Sequence, residues 1–296
     1  MLIVEKLKLK EKMSVGEETV ADFLMSLGKD VEKYSTRNIA EVTYTSPATV
    51  VRLCKKIGFK GFDDFKSQYL KEIDYLDQQY GSVDVNFPFS KNDSIMKMAN
   101  KMVDLYDETI RDTLSLMKHE VLKNASNLMK HSKAIHIFSS GTTLNQAECF
   151  KEKMLKIGKQ VIISNNLNYQ LYEANCIQQG DIAIIISYSG ETKNVVRIAQ
   201  SCKSRGIPII AITSFGENTL SQLAFCKLII STKESLFKNI GDFSIHLSVN
   251  LILDVLYSSY FLLDYDDNYE LKLNTAKILE NLRKSSNPII MNEEED

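Results

Sequence analysis

The hydrophobic period changes once along this chain, and that change restricts the fold more than any other feature. Up to residue 133 apolar side chains recur at three- and four-residue steps. Beyond it, short runs rich in isoleucine and other β-branched residues alternate with helical stretches. The runs fall at 134–138, 160–163, 181–186, 208–213 and 227–231, with helices near 144–157, 169–176, 192–204 and 219–224. Near-continuous apolar strands separated by helices imply a parallel sheet covered on both faces. The expected fold is α/β: an all-α N-terminal unit joined to a parallel sheet of about five strands flanked by helices.

The N-terminal unit reads as four helices. The first, within 14–27, carries Val20, Phe23, Leu24 and Leu27 on one face and is closed by Gly28. A short helix follows at 36–42. Ser46 and Pro47 open the next, a capping hydroxyl followed by a proline at the first helical position, and Gly58 ends it. The fourth spans about 62–76. Between 78 and 92 polar and turn residues break the pattern and mark a linker. Two amphipathic helices, 93–117 and 120–131, lead into the strands, and two more, 242–263 and 268–283, close the chain. The 296 residues therefore divide into a head at 1–78, a linker and the start of a long connecting helix at 79–105, a second domain at 106–290, and an acidic tail at 291–296.

Composition excludes several classes. Hydrophobic residues at 44% are too many for a disordered chain, and a net charge of -2 excludes a uniformly basic coat for nucleic acid. The five cysteines lie far apart without a CxxC pair, which argues against a disulfide framework or a zinc site and for small buried apolar residues. No apolar run in the sequence approaches the ~20 residues of a membrane span. The first thirteen residues carry Lys and Glu where a signal peptide has an apolar core. A cytoplasmic protein with no membrane partner is expected.

Inside this acidic chain lies one basic stretch. From Arg52 to Lys71 six cations (Arg52, Lys55, Lys56, Lys60, Lys66, Lys71) face only Asp63 and Asp64, a local charge of +4. Helix 36–42, the turn Thr43-Tyr44-Thr45 and helix 46–57 have the layout of a helix-turn-helix. Val50, Leu53, Cys54 and Ile57 form an apolar back, and Thr49, Arg52, Lys55 and Lys56 are expected on a polar front suited to the major groove. Ser46, Thr49 and Arg52 are placed to reach base edges or nearby phosphates, while Lys55, Lys56 and Lys60 suit phosphates. A solvated basic face without a partner accounts for the same pattern.

Two hydroxyl-rich loops leave the carboxyl ends of predicted strands: Ser139, Ser140, Gly141, Thr142 and Thr143 in the first, and Ser187, Tyr188, Ser189, Gly190, Glu191 and Thr192 in the second. Ligands of open α/β sheets bind outside these strand ends, and hydroxyls with the amides of a helix start make a phosphate cradle. Plain helix capping explains one such loop; two at corresponding strand ends favour a small phosphorylated ligand. GxGxxG and GxxxxGK[ST] are both absent. No catalytic set is apparent. None of His119, His131, His136 and His246 falls beside a Ser or Cys in a recognisable nucleophile elbow, His136 suits a core position, and Glu148, Glu152 and Glu191 are at most acid–base candidates. No metal ligand set and no cofactor are expected.

The run from Ser46 to Phe65, SPATVVRLCKKIGFKGFDDF, resembles the helix-turn-helix of RpiR-family transcriptional regulators, and Ser187–Thr192 resembles the SxSGxT hallmark of the sugar-isomerase (SIS) domain. The resemblance covers most of the chain, about 14–260. It implies a regulator of sugar metabolism genes whose SIS domain binds a phosphosugar effector and whose head binds double-stranded operator DNA as a homodimer or homotetramer. It further implies that Ser187, Ser189 and Thr192 contact the phosphate, that 139–143 form the opposite wall, and that nothing is catalysed. Two departures stand out: Ser139 and Thr143 occupy places where the family often has glycine and serine, and Ile245-His246 where it often has Ser-Arg. The alternatives are a phosphosugar isomerase with an accessory helical domain, which has no need of the basic stretch, and a scaffold acting through the acidic tail.

Overall fold

The structure, a computed structural model, describes residues 2–77 and 83–279. The first unit contains α1 (Ile3–Leu9), α2 (Val15–Leu27), α3 (Thr36–Val42), α4 (Pro47–Lys56) and α5 (Phe62–Asp77). Leu7, Val20, Leu24, Ile39, Val50, Leu53, Phe65 and Tyr69 form its core. Each such side chain contributes ~1.5–3 kcal/mol through burial. Helix α1 departs from the sequence reading, which saw only charge at 1–13. Ile3 and Leu7, one turn apart, are its buried face. Its first amides are satisfied from far along the chain: the buried Glu72 of α5 accepts from Ile3 N at 2.6 Å and Val4 N at 2.8 Å. A cap supplied across 69 residues leaves no local signature.

The second unit begins with α6 (Ile95–Leu116) and α7 (His119–His131). Strands β1 (Ile135–Phe138), β2 (Val161–Ile163), β3 (Ile182–Ser187), β4 (Ile209–Ser214) and β5 (Cys226–Ile230) follow, interleaved with α8 (Leu144–Leu155), α9 (Gln170–Cys176), α10 (Lys193–Ser204) and α11 (Thr219–Leu223). The sheet is parallel throughout, in the order β2-β1-β3-β4-β5. Every residue of β3 and β4 is buried, which is why their sequences run apolar without alternation. On one face α7, α8 and α12 (Phe243–Phe261) cover Ile135, Ile137, Ile184 and Ile212; on the other, α9, α10 and α11 cover Ala183, Ile185 and Ala211. Helix α13 (Tyr265–Leu279) ends the described chain, so the acidic tail and parts of the expected linker and last helix lie outside the described residues.

Two expectations need correction here. The helical stretch Phe243–Leu279 is long and apolar enough to cross a membrane. Val249, Ile252, Leu253 and Leu256 are nevertheless buried in the same cluster as Ile135 and Ile184, as in the core helix of a folded domain. Of the cysteines, only Cys54, Cys202 and Cys226 are buried, and burial pushes their thiols up to about 12, 11 and 11; Cys149 and Cys176 are exposed.

The units meet through Tyr75 of α5. Its ring stacks on Phe215 at 4.6 Å, its hydroxyl donates to Asp112 Oδ2 at 3.1 Å, and it accepts from Thr232 N at 2.9 Å.

Candidate functional site

Strand order reverses between β1 and β3, because the chain moves from β1 outward to β2 and then back across to β3. The crevice at such a switch point is where open α/β sheets bind ligands. Both hydroxyl-rich loops flank it.

In the second loop Ser187 ends β3 and Thr192 caps α10, with Ser187 Oγ and Thr192 Oγ1 3.2 Å apart. Gly190 lies between them at φ +65°. A Cβ there would come within 2.0 Å of Asn218 Oδ1, so only glycine fits. Asn218 is itself fixed, donating to Thr213 Oγ1 at 3.1 Å. Glu191, a candidate acid–base group, is committed elsewhere: its carboxylate accepts from Thr219 N at 2.8 Å and Thr219 Oγ1 at 2.7 Å. Ser189 Oγ accepts from Glu191 N at 3.2 Å. The loop is anchored from outside by Asn218 and Thr219, and its two end hydroxyls bond each other.

The first loop is organised differently. Ser139, expected to face ligand, is fully buried; its Oγ lies 2.5 Å from Thr143 Oγ1, and its carbonyl accepts from Gln170 Nε2 at 2.9 Å. Thr143 also donates to Ser140 O at 3.1 Å. Thr142 Oγ1 lies 2.5 Å from His246 Nε2, so the histidine of the departing Ile245-His246 pair reaches the loop from the first turn of α12. Ser140, Gly141 and Thr142 remain at the surface. Sequence reasoning missed the group beside this helix start, Glu234. It is buried, accepts from Ile245 N at 3.0 Å through Oε2, and leaves Oε1 without a partner. Burial pushes its carboxyl up to about 7, against the lowering effect of the Ile245 amide.

His136 pairs with Asp181 at 3.3 Å near the amino ends of the strands, away from both loops. Glu148 and Glu152 pair with Lys151 and Lys156 along α8. Among the described residues no cluster of three or more His, Cys, Asp or Glu could hold a metal.

In the head, Ser46 Oγ caps α4 by accepting from Thr49 N at 3.2 Å. Arg52, Lys55 and Lys60 are exposed. Two residues depart from the expected front. Thr49 is buried beside Gly16 of α2, where its hydroxyl bonds Ser46 Oγ at 3.0 Å. Lys56 is drawn to the buried Glu17 and donates to Lys12 O at 2.8 Å. Glu17 also accepts from Arg52 Nε at 3.0 Å, yet the Arg52 side chain stays 63% exposed. Burial alone would raise the Glu17 carboxyl, but Lys56, the Ser14 amide and Arg52 outweigh it and bring it down to about 2. Ser14 and Glu17 form a capping box, a pattern readable in the sequence as S-x-x-E. Tyr44, in the turn before α4, stands 97% exposed at φ +50°.

A helix-turn-helix head joined to a parallel α/β domain with hydroxyl loops at its switch point defines a ligand-responsive DNA-binding regulator. Residues 1–75 match the helix-turn-helix domain of the rpiR family, and residues 128–249 match the SIS domain. The chain belongs to the RpiR-family transcriptional regulators and carries that family's helix-turn-helix together with an SIS domain. It is 25% identical over 280 residues to an uncharacterised HTH-type transcriptional regulator of Caldanaerobacter subterraneus, covering 95% of this chain and 97% of that one. Its fold is similar to that of Vibrio vulnificus NanR complexed with ManNAc-6P, at a TM-score of 0.62 and 24% identity over 96% of this chain and all of that one. It is also similar to a Listeria monocytogenes protein described as a putative sugar-phosphate isomerase, at a TM-score of 0.55 and 16% identity over 65% of this chain and all of that one.

Proposed function

We propose that a phosphosugar occupies the crevice between the two loops, with its phosphate against Ser187, Ser189 and Thr192 and the amides around Gly190. Ser140, Gly141, Thr142 and His246 form the opposite wall, and Ser139 and Thr143 brace it from below. The observation that carries this reading is the position of both loops at the one reversal of strand order. The NanR complex makes N-acylated amino-sugar phosphates the first effectors to try.

The head spans 1–78, the linker with the start of the connecting helix 79–105, the sensor 106–290, and the tail 291–296. In this reading Ser46, Arg52, Lys55 and Lys60 meet operator DNA, while Thr49 and Lys56 hold α4 on the head. The protein works in the cytoplasm as a homodimer or homotetramer, presenting two heads to half-sites about 34–36 Å apart. In this reading the crevice senses its ligand instead of turning it over, with the Glu191 carboxylate spent on Thr219.

A thermal-shift screen of phosphosugars, followed by gel shifts with and without the best stabiliser, tests this reading. A ligand that binds only the folded state raises its melting temperature. Stabilisation by a phosphosugar that also changes operator binding is expected, without turnover. Isomerase turnover, or a stabiliser that leaves DNA binding untouched, would sink it.

A further inference from the structure

Above the carboxyl ends of β3, β4 and β5 lies a cavity of about 580 Å³ enclosed by both units together. On one side stand Leu2, Glu5, Lys8 and Leu9, from the start and length of α1 in the head. On the other stand Tyr188, Ser189 and Glu191 of the second loop, and the chain that follows β5. The cavity is thus continuous with the loop assigned to the phosphate.

Its charges offset one another, Lys8 and Lys238 standing against Glu5, Glu191 and Glu234, and its remaining wall is largely apolar. Leu9, Leu236 and Phe237 line it and are largely exposed, Phe237 to 93%. Large apolar side chains left open around a concavity mark a surface made to be covered. In its wall sits Glu234, 3% exposed, with Oε1 unpartnered. A buried carboxyl oxygen without a partner is costly unless something supplies one. Burial raises the group to about 7, so at neutral pH it is protonated about half the time and can then donate to a carbonyl or hydroxyl.

The far wall is mechanically tied to the DNA-reading helices. Glu72 of α5 grips the first amides of α1, and three residues further along α5 Tyr75 is seated in the sensor. Thr232, which donates its amide to Tyr75 and receives Phe215 N on its hydroxyl at 2.7 Å, also lines the cavity.

We propose that this cavity receives the end of the phosphosugar remote from its phosphate, that this end bears an uncharged and partly apolar substituent such as an acylated amine, and that α1 is therefore a wall of the effector site through which occupancy positions the head. The inference rests on the assignment of 187–192 as the phosphate cradle, and its test separates the two.

Calorimetry on the full chain uses three probes: inorganic phosphate, an amino-hexose phosphate, and the same compound N-acetylated. The wild type should bind the acetylated form about tenfold more tightly than the free amine. Leu9→Ser and Phe237→Ser alter exposed positions, so both should fold; each should lose most of that preference while keeping its affinity for inorganic phosphate. Amide exchange at residues 3–9 should slow with the acetylated compound and not with phosphate. Undiminished preference in both variants, no preference in the wild type, or exchange in α1 indifferent to ligand would overturn the inference while the cradle stands. Failure of every probe to bind the wild type, or phosphate binding untouched by Thr192→Val, would overturn the cradle and the inference with it.

Discussion

The two loops at the switch point have nearly the same composition and differ in how they are anchored. In the first, hydroxyls bond one another: Ser139 to Thr143, Thr143 to Ser140 O, and Thr142 to His246. The second has an internal bond too, Ser187 to Thr192 at 3.2 Å, but adds bracing from neighbours, Asn218 against Gly190 and Thr219 on Glu191. Hydroxyl content alone therefore does not identify a cradle. Both loops spend hydroxyls on one another, and the second differs in being anchored from outside as well.

The sharpest way to break this contrast is at the glycine each loop contains. Gly141 and Gly190 both have positive φ, at +70° and +65°. A Cβ on Gly141 meets nothing within 4 Å, while on Gly190 it collides with Asn218. Gly141→Ala should cost only about 1 kcal/mol of backbone strain. Gly190→Ala should cost roughly 3–5 kcal/mol, since a side-chain clash adds to the strain and Asn218 must give up Thr213. Urea denaturation of the two variants decides the matter; equal losses would mean that the second loop is no more tightly built than the first.

Much of this was legible in the sequence, and what was not shares one cause. The five strands, their parallel order and both loops follow from local periodicity, because burial on both faces demands unbroken apolar runs. Helix α1 was invisible because its cap, Glu72, lies at the other end of the head. The split of α4 into a front and a back placed Val50, Leu53 and Cys54 correctly but misplaced Thr49, since the covering residue Gly16 belongs to another helix. Ser139 looked like a ligand group because its burial depends on Thr143 and on Gln170 of α9. Long-range partners, not local pattern, decide which polar residues are free.

Buried carboxyls carry the same contrast into pH dependence. Glu234, unpartnered at one oxygen, is raised to about 7, whereas Glu17, clasped by Lys56 and Arg52, is lowered to about 2. A raised acid holds its proton in the native state, so its contribution is complete below the unfolded value near 4.5 and disappears as pH rises through 7. A lowered acid contributes above 4.5 and loses its contribution as pH falls toward 2. Between pH 4.5 and 8 Glu234 should therefore remove roughly 2–3 kcal/mol. Glu234→Gln should abolish that part of the decline in urea melts; an unchanged decline would show that the carboxyl titrates normally.

Ligand binding offers a finer test of the loops. Thr192→Val removes a hydroxyl from the mouth of the second loop and should weaken phosphosugar binding by about 1–2 kcal/mol, or roughly five- to thirtyfold. Thr142→Val removes one bonded to His246 in the wall opposite the phosphate and should cost less than half of that. Equal losses in calorimetry would give the two loops equal shares of the ligand.

The smallest expected effect carries the distinction between free and committed groups into the head. Lys55 and Lys56 are adjacent at the end of α4 and both reach solvent, but Lys56 is tied to Glu17 and Lys12 O. A lysine that neutralises a phosphate releases a counterion on binding, so its loss lowers the salt slope of operator affinity by about one. Lys55→Ala should produce that change with stability intact. Lys56→Ala should leave the slope nearly unaltered and instead strand the Glu17 carboxylate with Arg52 alone, lowering thermal stability. Fluorescence anisotropy across a salt series, read beside thermal melts, separates the two, and a full unit of slope lost from Lys56→Ala would show that the Glu17 pair opens on DNA.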